Sequence, residues 1–485
     1  KILMGGPQAS MTAVETLKEF KFIDVIGIGE GEKTIVQLVK ALLQSKSISN
    51  IRGIAYRKGK KIIKNKPNKL INDLDNLPYL DFDKLSNDIK SDSILIEVGR
   101  GCPYKCSFCS TNIFWKRHYR LKSDERIIEE IEMYKEKYKD LSFSFNHDMF
   151  TLNRKRIIDF CKKLINKNLN IEWACSARID TLDEELIKFM AKSGCKEIYL
   201  GIESASPYMQ KVINKNLNLD EVISYVELLK KNDITPTISF IYGFYDEKMD
   251  DLRKTMNLIV KLLIRGIYNI QLHKLTITPK TGEFYKVKDF LYINDSSSDI
   301  ASTYFFTELK NIIKRNKNIF SNFYDFETDI RRNYDELSVF IRFLTSVISK
   351  LKYTLFHYMK YYNYDLLKMF NEHKKLFESL SEEMKNNIYT GYDNYNNLME
   401  MFLKYFELLI KESKIFKEKP NLKEIFKLEK DIYSFIYFDD KKEVICDYKI
   451  NIFKLLNNID YCNKKRIKVK IIRLSNNKVR VKRIA

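Results

Sequence analysis

The chain is poor in several residue types at once. Its 485 residues include eight cysteines, eight prolines, fifteen glycines and five histidines. Scarce glycine and proline beside abundant asparagine, lysine and isoleucine read as a bias of genome composition rather than as function. Long apolar runs are missing too. No stretch approaches the ~18 consecutive apolar residues of a membrane span. The most apolar helical stretch, LIVKLLIRGI, is broken by Lys261 and Arg265. The start, KILMGGPQAS, lacks the charged-then-apolar pattern of a secretory signal. A cytoplasmic protein is expected, with no membrane span. The chain starts at Lys1 rather than Met, as a fragment would. In a long unsecreted chain so few cysteines make no disulfide framework. Cys161, Cys175, Cys195, Cys446 and Cys462 read as small buried hydrophobes.

Acidic residues are outnumbered, 64 to 85, giving a formal net charge of +21. Lysines are spread along the whole chain, so a lysine-rich solvated exterior is the first reading and a nucleic-acid surface the second. The tail from Lys464, KKRIKVKIIRLSNNKVRVKRIA, is the densest basic segment. With 45% apolar and 31% charged residues the chain can build ordinary cores. Its length allows about two to four domains.

Against this scarcity, three cysteines crowd into GRGCPYKCSFCS: Cys102, Cys106 and Cys109, spaced C-x3-C-x2-C. Zinc would want four ligands, and no further cysteine follows until Cys161. His118 lies among cations in WKRHYR, which disfavour a metal. A redox dithiol could use Cys106 and Cys109 but would leave Cys102 surplus. An iron–sulfur cluster on three thiolates would leave one iron open to a substrate group. The preceding SILIEVGRG runs from a β-branched strand through two glycines, so the cysteines sit on a loop at a strand's C-terminal end.

From 93 to 277, strand-like and helix-like segments alternate. SILIEV precedes the loop and SDERIIEEIEMYKEKY follows, with Ser123 as N-cap and Arg126 where a capping-box acid would stand. LSFSFNH, IEWACSA, EIYLGIES, TPTISFIYG and NIQLHKLTI each adjoin a helical segment. Six such units predict a parallel sheet with right-handed crossovers, curled into a partial barrel. Polar residues at the C-terminal ends of barrel strands read as chemistry. His147 and Asp148 end strand two, Arg178 strand three, Glu203 strand four and Gly243 strand five, while His273 lies within strand six. Each has a structural alternative. Asp148 could cap the following helix, and Arg178 could pair with Asp180 or Asp183. Glu203 could be a helix N-terminal acid, and His273 a satisfied core histidine.

The C-x3-C-x-aromatic-C motif, with Phe108 as the aromatic, resembles the radical S-adenosylmethionine (SAM) enzymes. The resemblance implies a 4Fe-4S cluster on Cys102, Cys106 and Cys109, an open iron chelated by SAM, and reductive cleavage to a 5′-deoxyadenosyl radical. It implies a partial (β/α)6 TIM-like barrel. KEIYLGIESAS is similar to the family's strand-four segment, which implies that Glu203 bonds the SAM ribose or amino group. Arg178 is then a candidate for the SAM carboxylate, and Asp148 a candidate cofactor contact. ISFIYGFYDE is similar to the strand-five segment that packs the adenine, through Ile241 and Gly243. Tyr245 replaces a usual proline there, and Lys280 a usual glycine in PKTGEF.

Before the barrel, GGPQAS followed by GEGE resembles the back half of a Rossmann-like cobalamin-binding domain, with Gly5 and Gly6 near the nucleotide tail. The D-x-H-x-x-G motif that ligates cobalt in that family is missing. Either the chain is truncated, or cobalamin is lost or bound without that histidine. After NDSSSD the sequence turns aromatic-rich and helical, then ends in a small α/β tail with a hairpin turning at Asn476-Asn477. The expected divisions are an α/β remnant over 1–72, a linker over 73–92, the core over 93–285, a helical domain over 286–440 and the tail over 441–485. The resemblance implies a radical SAM enzyme of the cobalamin-domain branch. It would methylate or otherwise modify an organic substrate, a peptide or natural product being the guess, and take electrons from a flavodoxin or ferredoxin. Nucleic acid is the less favoured partner. A tRNA-modifying methylthiotransferase is an alternative, but should bring three more cysteines upstream of Cys102. An inactive iron–sulfur-binding remnant is another.

Overall fold

The computed structural model describes residues 1–84, 93–138, 141–293, 307–348, 350–378, 414–438, 443–448, 467–473 and 479–484. The expected linker over NDSSSD and the turn at Asn476-Asn477 lie outside the described residues, as does Cys462. The described residues fall into two compact units. One comprises 1–251 with 273–335, the other 252–272 with 336–485.

The first unit opens with a small α/β layer. Its elements are β1 (Leu3–Met4), α1 (Pro7–Met11), α2 (Ala13–Glu19), β2 (Val25–Gly27), α3 (Glu32–Leu43), β3 (Ile54–Lys58) and β4 (Lys61–Lys64). β1 and β2 run parallel, and β3 and β4 add an antiparallel hairpin, in the order β1-β2-β3-β4. Apolar residues on both faces make two small cores. Leu17 and Ile26 lie in one, Leu38 and Ile54 in the other.

The barrel strands are β5 (Ser93–Glu97), β8 (Ser142–Asn146), β9 (Trp173–Ala177), β10 (Cys195–Glu203), β11 (Thr235–Tyr242) and β12 (Ile270–Lys274). They form one sheet in the order β12-β11-β10-β9-β8-β5, each strand beside its predecessor in the series. That order agrees with the six strand–helix units read from sequence. A short antiparallel pair, β6 (Gly99–Arg100) with β7 (Arg120–Leu121), brackets the cysteine loop and its single-turn helix α4 (Thr111–Phe114).

The crossover helices are α5 (Asp124–Lys137), α6 (Arg154–Asn166), α7 (Glu184–Lys192), α9 (Val222–Lys231) and α10 (Met249–Ile264). Side-chain caps start three of them. Ser123 accepts from the N–H of Arg126, Asn153 from that of Arg156 and Asp183 from that of Leu186. Each satisfies an N–H that the helix cannot. The capping alternative for Asp148 is thereby overturned, because Asn153 begins α6. One extra helix, α8 (Pro207–Val212), separates β10 from α9, with Ser206 as its cap. Cys161, Cys175 and Cys195 are buried, as expected of small hydrophobes, and Cys175 and Cys161 both act on the Cys195 thiol.

Beyond the barrel the first unit continues through α11 (Gly282–Val287), β13 (Tyr292–Ile293), α12 (Thr307–Arg315), β14 (Tyr324–Asp325) and α13 (Asp329–Asn333). These pack an apolar cluster that includes Phe244, Leu275, Phe284, Tyr324 and Phe326, with Phe108 and Ile241 against it.

The second unit contains α14 (Leu337–Ile348), α15 (Lys352–Tyr361), α16 (Leu366–Glu378), α17 (Lys414–Glu418) and α18 (Leu422–Phe438). Glu429 of α18 accepts the N–H groups of Tyr353 and Thr354 at 2.8 and 2.9 Å, supplying the cap that α15 lacks locally. Strands β15 (Glu443–Tyr448), β16 (Ile467–Arg473) and β17 (Val479–Ile484) form an antiparallel sheet. Val469 and Ile471 are buried there, whereas Lys468, Arg480 and Lys482 are exposed. Among the described residues no helix is long and apolar enough to cross a membrane.

Candidate active site

The strand alternation that buries Ile94 and Ile96 carries β5 into Gly99 and the cysteine loop. Gly101 has φ +89°, and a Cβ there would stand 1.9 Å from the carbonyl oxygen of His118, so only glycine lets the two ends of the loop close. The base of the loop is held by charge. Glu30, whose side chain is 2% exposed, accepts from Arg100 at 2.8 Å and Arg120 at 2.9 Å. Arg100 also bonds Glu32 and Glu97, each at 2.6 Å. The second oxygen of Glu30 accepts the N–H of Ile71 at 2.6 Å. Both guanidinium groups flank the indole of Trp115, at 5.6 and 5.4 Å. Thus the GEGE segment grips the two strands from which the cysteine loop springs.

His147 supports the same strands from the barrel side. Its Nδ1 accepts the N–H of Met149 at 2.7 Å, which assigns the ring proton to Nε2. Nε2 makes no hydrogen bond of full geometry, but the carbonyls of Arg120 and Arg100 act on the ring. Burial pushes its pKa down to about 4.

Cys102, Cys106 and Cys109 are all partly buried free thiols on this loop. Ser107 anchors the loop by donating its N–H to Ile213 at 3.0 Å and its hydroxyl to Glu283 at 2.6 Å. Asn112 donates to the carbonyl of Cys106 at 2.8 Å. Phe108 meets Phe244 edge-on at 6.0 Å. Burial pushes the Cys102 thiol up to about 11 and raises Cys106, while Lys215 and Arg178 pull Cys106 the other way. Among the described residues no three His, Cys, Asp or Glu side chains group as ligands of one ion. The thiols are close enough to act on each other, since Cys109 and Cys106 both raise Cys102. A cube of iron and sulfide takes each thiolate on its own iron, so its ligands stand apart. The donor set fits such a cluster, with no fourth thiol in the loop.

Across the loop lie the other strand ends. Glu203 closes β10 with φ +65°, an uncommon conformation for a non-glycine residue. Its carboxylate is bonded to Lys215 at 2.8 Å, both side chains being less than a tenth exposed. It is not at a helix N-terminus, because Ser206 caps α8. Arg178 forms a two-pronged pair with Asp180, at 3.0 and 2.7 Å, and donates to the carbonyl of Lys215 at 2.8 Å. Its remaining Nη1 is buried without a partner, and its guanidinium lies 3.8 Å over Tyr104. Asp183 pairs instead with Arg154. Asp148 accepts from Thr111 at 3.2 Å, and its carboxyl is raised by burial. His273 is half-buried on β12.

Ile241 and Gly243 stand at the end of β11, where Gly243 turns at φ +78°. Gly243 donates its N–H at 2.5 Å to Glu247, a carboxyl that burial pushes up to about 8. Gly5 and Gly6 lie in the other α/β layer, before α1. A Cβ on either, or on Gly29, would meet nothing within 4 Å. Nearby is a cavity of about 210 Å³ lined by Ser10, Ile28, Lys64, Ile113, Phe114 and Lys280, among others. Residues 1–72 offer no histidine to a metal there.

Sequence reasoning missed Lys215, Glu247 and the pairing of Glu30 with Arg100 and Arg120. The acids of GEGE were visible, but nothing local tied them to arginines far along the chain.

A parallel barrel with three thiols on the loop after its first strand, and an acid and cations at the ends of its next strands, is an arrangement suited to a three-thiolate iron–sulfur cluster with a charged ligand beside it. Residues 96–259 match the model of the Radical SAM superfamily. The chain is 35% identical over 265 residues to an uncharacterized methyltransferase of Pyrococcus horikoshii, covering 54% of this chain and 58% of that protein. It is 30% identical over 264 residues to an anaerobic magnesium-protoporphyrin IX monomethyl ester cyclase of Rubrivivax gelatinosus, covering 52% and 47%. The matched region therefore spans about half the length of these relatives. Among solved structures, the cobalamin-dependent SAM radical enzyme OxsB in its apo form aligns with a TM-score of 0.58 at 18% identity, covering 89% of this chain and 70% of that one. The radical SAM methyltransferase TsrM of Kitasatospora setae aligns with a TM-score of 0.51 at 16% identity, covering 59% and 58%. At those identities the structural likeness speaks for the fold.

Two outcomes follow. Glu30→Ala leaves Arg100 and Arg120 buried without their shared carboxylate, and should cost about 3–5 kcal/mol of stability in chemical unfolding. For His147, the folded pKa of about 4 lies below the ordinary 6.5. The folded chain thus binds fewer protons between those values. Stability from the neutral ring is full above pH 6.5 and falls as pH drops toward 4. The unfolding midpoint should decline across that window, and decline less in His147→Asn.

Proposed function

We propose that this chain is a radical SAM enzyme that methylates or otherwise modifies an organic substrate. The observation that carries the reading is the meeting of the cysteine loop with the next strand ends: Arg178 lies 3.8 Å over Tyr104, and Arg178, Lys215 and Glu203 all act on Cys106. A 4Fe-4S cluster on the three thiolates would, once reduced, supply the electron that splits a carbon–sulfur bond of SAM. The remaining work falls to the chain's own side chains. Arg178 has one buried, unpartnered Nη1, the group suited to a carboxylate. Glu203 holds Lys215 and has a second oxygen for an amino or hydroxyl group of the bound molecule. Gly243, lacking a side chain, lets Arg331 pack against the β11 exit, with Ile241 as an apolar neighbour for the adenine. Phe108 seats the loop on the apolar cluster and excludes water from that side. Asp148 stays near Cys102 as a local negative charge.

Cobalamin belongs to this reading as a further cofactor. Gly5, Gly6 and Gly29 leave open space at the strand ends of the first layer, room that a bulky cofactor could use. Its cobalt would be bound without a histidine from residues 1–72. The substrate is taken as a peptide or natural product, and the electron donor as a flavodoxin or ferredoxin. The expected location is the cytoplasm, the setting of such donors.

The test is anaerobic. The chain is reconstituted with iron and sulfide, reduced and given SAM, and products are identified by mass spectrometry. 5′-Deoxyadenosine should form, and Cys109→Ala should lower it at least a hundredfold, on the order of other losses of a catalytic group. S-adenosylhomocysteine appearing only with cobalamin present marks methyl transfer. A cluster that assembles and binds no SAM overturns the reading.

A further inference from the structure

Arg331 lies well beyond the residues that match the superfamily model, 96–259. It belongs to α13, yet its side chain is only 2% exposed. One Nη donates to the carbonyl of Gly243 at 2.7 Å and to that of Leu275 at 3.2 Å, and the other Nη also reaches Leu275 at 3.2 Å. Its Nε donates to Asp325 at 2.5 Å, and its guanidinium lies 4.1 Å over the ring of Phe326. Asp325 is itself fixed by Lys274 at 3.2 Å and by the N–H of Phe326 at 2.8 Å. Lys274 also pairs with Asp335, so two cations meet two carboxylates and the charge is balanced before it meets the strand ends, as a buried cation must be.

The consequence concerns one residue at the β11 exit. Gly243 has its N–H held by Glu247 and its carbonyl held by Arg331. A Cβ on Gly243 would stand 3.2 Å from two atoms of Arg331, so the arginine backs directly onto the turn. The next residue, Phe244, lies in the apolar cluster with Tyr324 and Phe326 and meets Phe108 of the cysteine loop. A planar fork is needed to reach two carbonyls and one carboxylate together, and lysine has no such fork.

We infer that Arg331 is a positioning residue for the adenosine half of SAM, and that the segment carrying it is part of the cofactor site. This rests on the radical SAM reading above. Arg331 does not touch the cofactor; it sets the peptide plane of Gly243 along which the adenine would lie. The methionine half would be held elsewhere, by Arg178, Glu203 and Lys215. Damage at Arg331 therefore weakens adenosine binding selectively.

The experiment uses the full chain, reconstituted anaerobically, as wild type, Arg331→Lys and Arg331→Met. Binding of SAM, 5′-methylthioadenosine and methionine is measured by equilibrium dialysis, with iron content and thermal midpoint recorded alongside. Arg331→Lys keeps a cation beside Asp325, so it should keep its iron and most of its thermal midpoint. It should still lose about tenfold in affinity for SAM and 5′-methylthioadenosine, the scale of one charge-assisted hydrogen bond. Methionine should bind as to wild type. Arg331→Met should show the same selectivity with a lower thermal midpoint. If Arg331→Lys retains iron and binds 5′-methylthioadenosine like wild type, the inference is wrong. A parallel loss of methionine binding and iron would reduce Arg331 to general support and overturn it equally. If wild type holds iron but binds neither SAM nor 5′-methylthioadenosine, the radical SAM reading falls first and takes this inference with it.

Discussion

The cysteine loop depends on one buried carboxylate. Glu30 sits between Arg100 and Arg120, which lie on the two short strands at the loop's neck. Without it, two guanidinium groups would be buried side by side with no carboxylate shared between them, and Arg120 would lose its ion-pair partner. With it, each strand is tied to the first α/β layer and, through Ile71, to the chain that leaves that layer. Neutral His147 props the neck from beneath. Burial keeps the imidazole neutral, with the charge of Arg156 acting in the same sense and the carbonyls of Arg120 and Arg100 against it. Thiols that are to hold a cluster, as proposed, must be held more rigidly than an exposed loop allows. Here the rigidity comes from the neck, while the tip remains partly exposed.

Charges at the strand ends divide the site into two regions. Near Cys106 lie two cations, Arg178 and Lys215, with Glu203 and Asp180 as their partners. This region is polar and has one donor to spare, and it suits the charged end of an amino acid. The β11 exit is different. Ile241, Phe244 and Phe108 join a continuous apolar cluster, and the polar groups present are consumed in holding Gly243. This region suits a flat, weakly polar ring. A cofactor with a zwitterionic head and a purine at its far end matches both.

Much of the core was legible because its signals are local. Strand and helix periods differ, and Ser123, Asn153 and Asp183 mark helix starts within a few residues of where the apolar pattern changes. The cysteine spacing is equally local. What escaped depends on long-range pairing. Glu203 could be seen at the end of its strand, but not its left-handed backbone or its bond to Lys215, which lies beyond a helix that sequence did not reveal. Arg331 is one arginine among many basic residues in a segment read as accessory. Only the fold brings it to Gly243.

The first α/β layer gains a second meaning from the neck. A glycine-rich turn between a strand and a helix commonly presents backbone N–H groups to an anion. Here the turn after β2 contributes two acids instead. Glu32 opens α3, where a carboxylate is favoured by the helix dipole. Glu30 stands before it and is used by the two arginines and the N–H of Ile71. The negative charge that such a turn would accept from a ligand is thus supplied by the chain and exchanged for guanidinium groups of the barrel. The layer therefore supports the cysteine loop whether or not a second cofactor occupies the open glycines beside it. That support depends on residues with no part in binding cobalt, so loss of cobalamin binding would not remove the need for the layer.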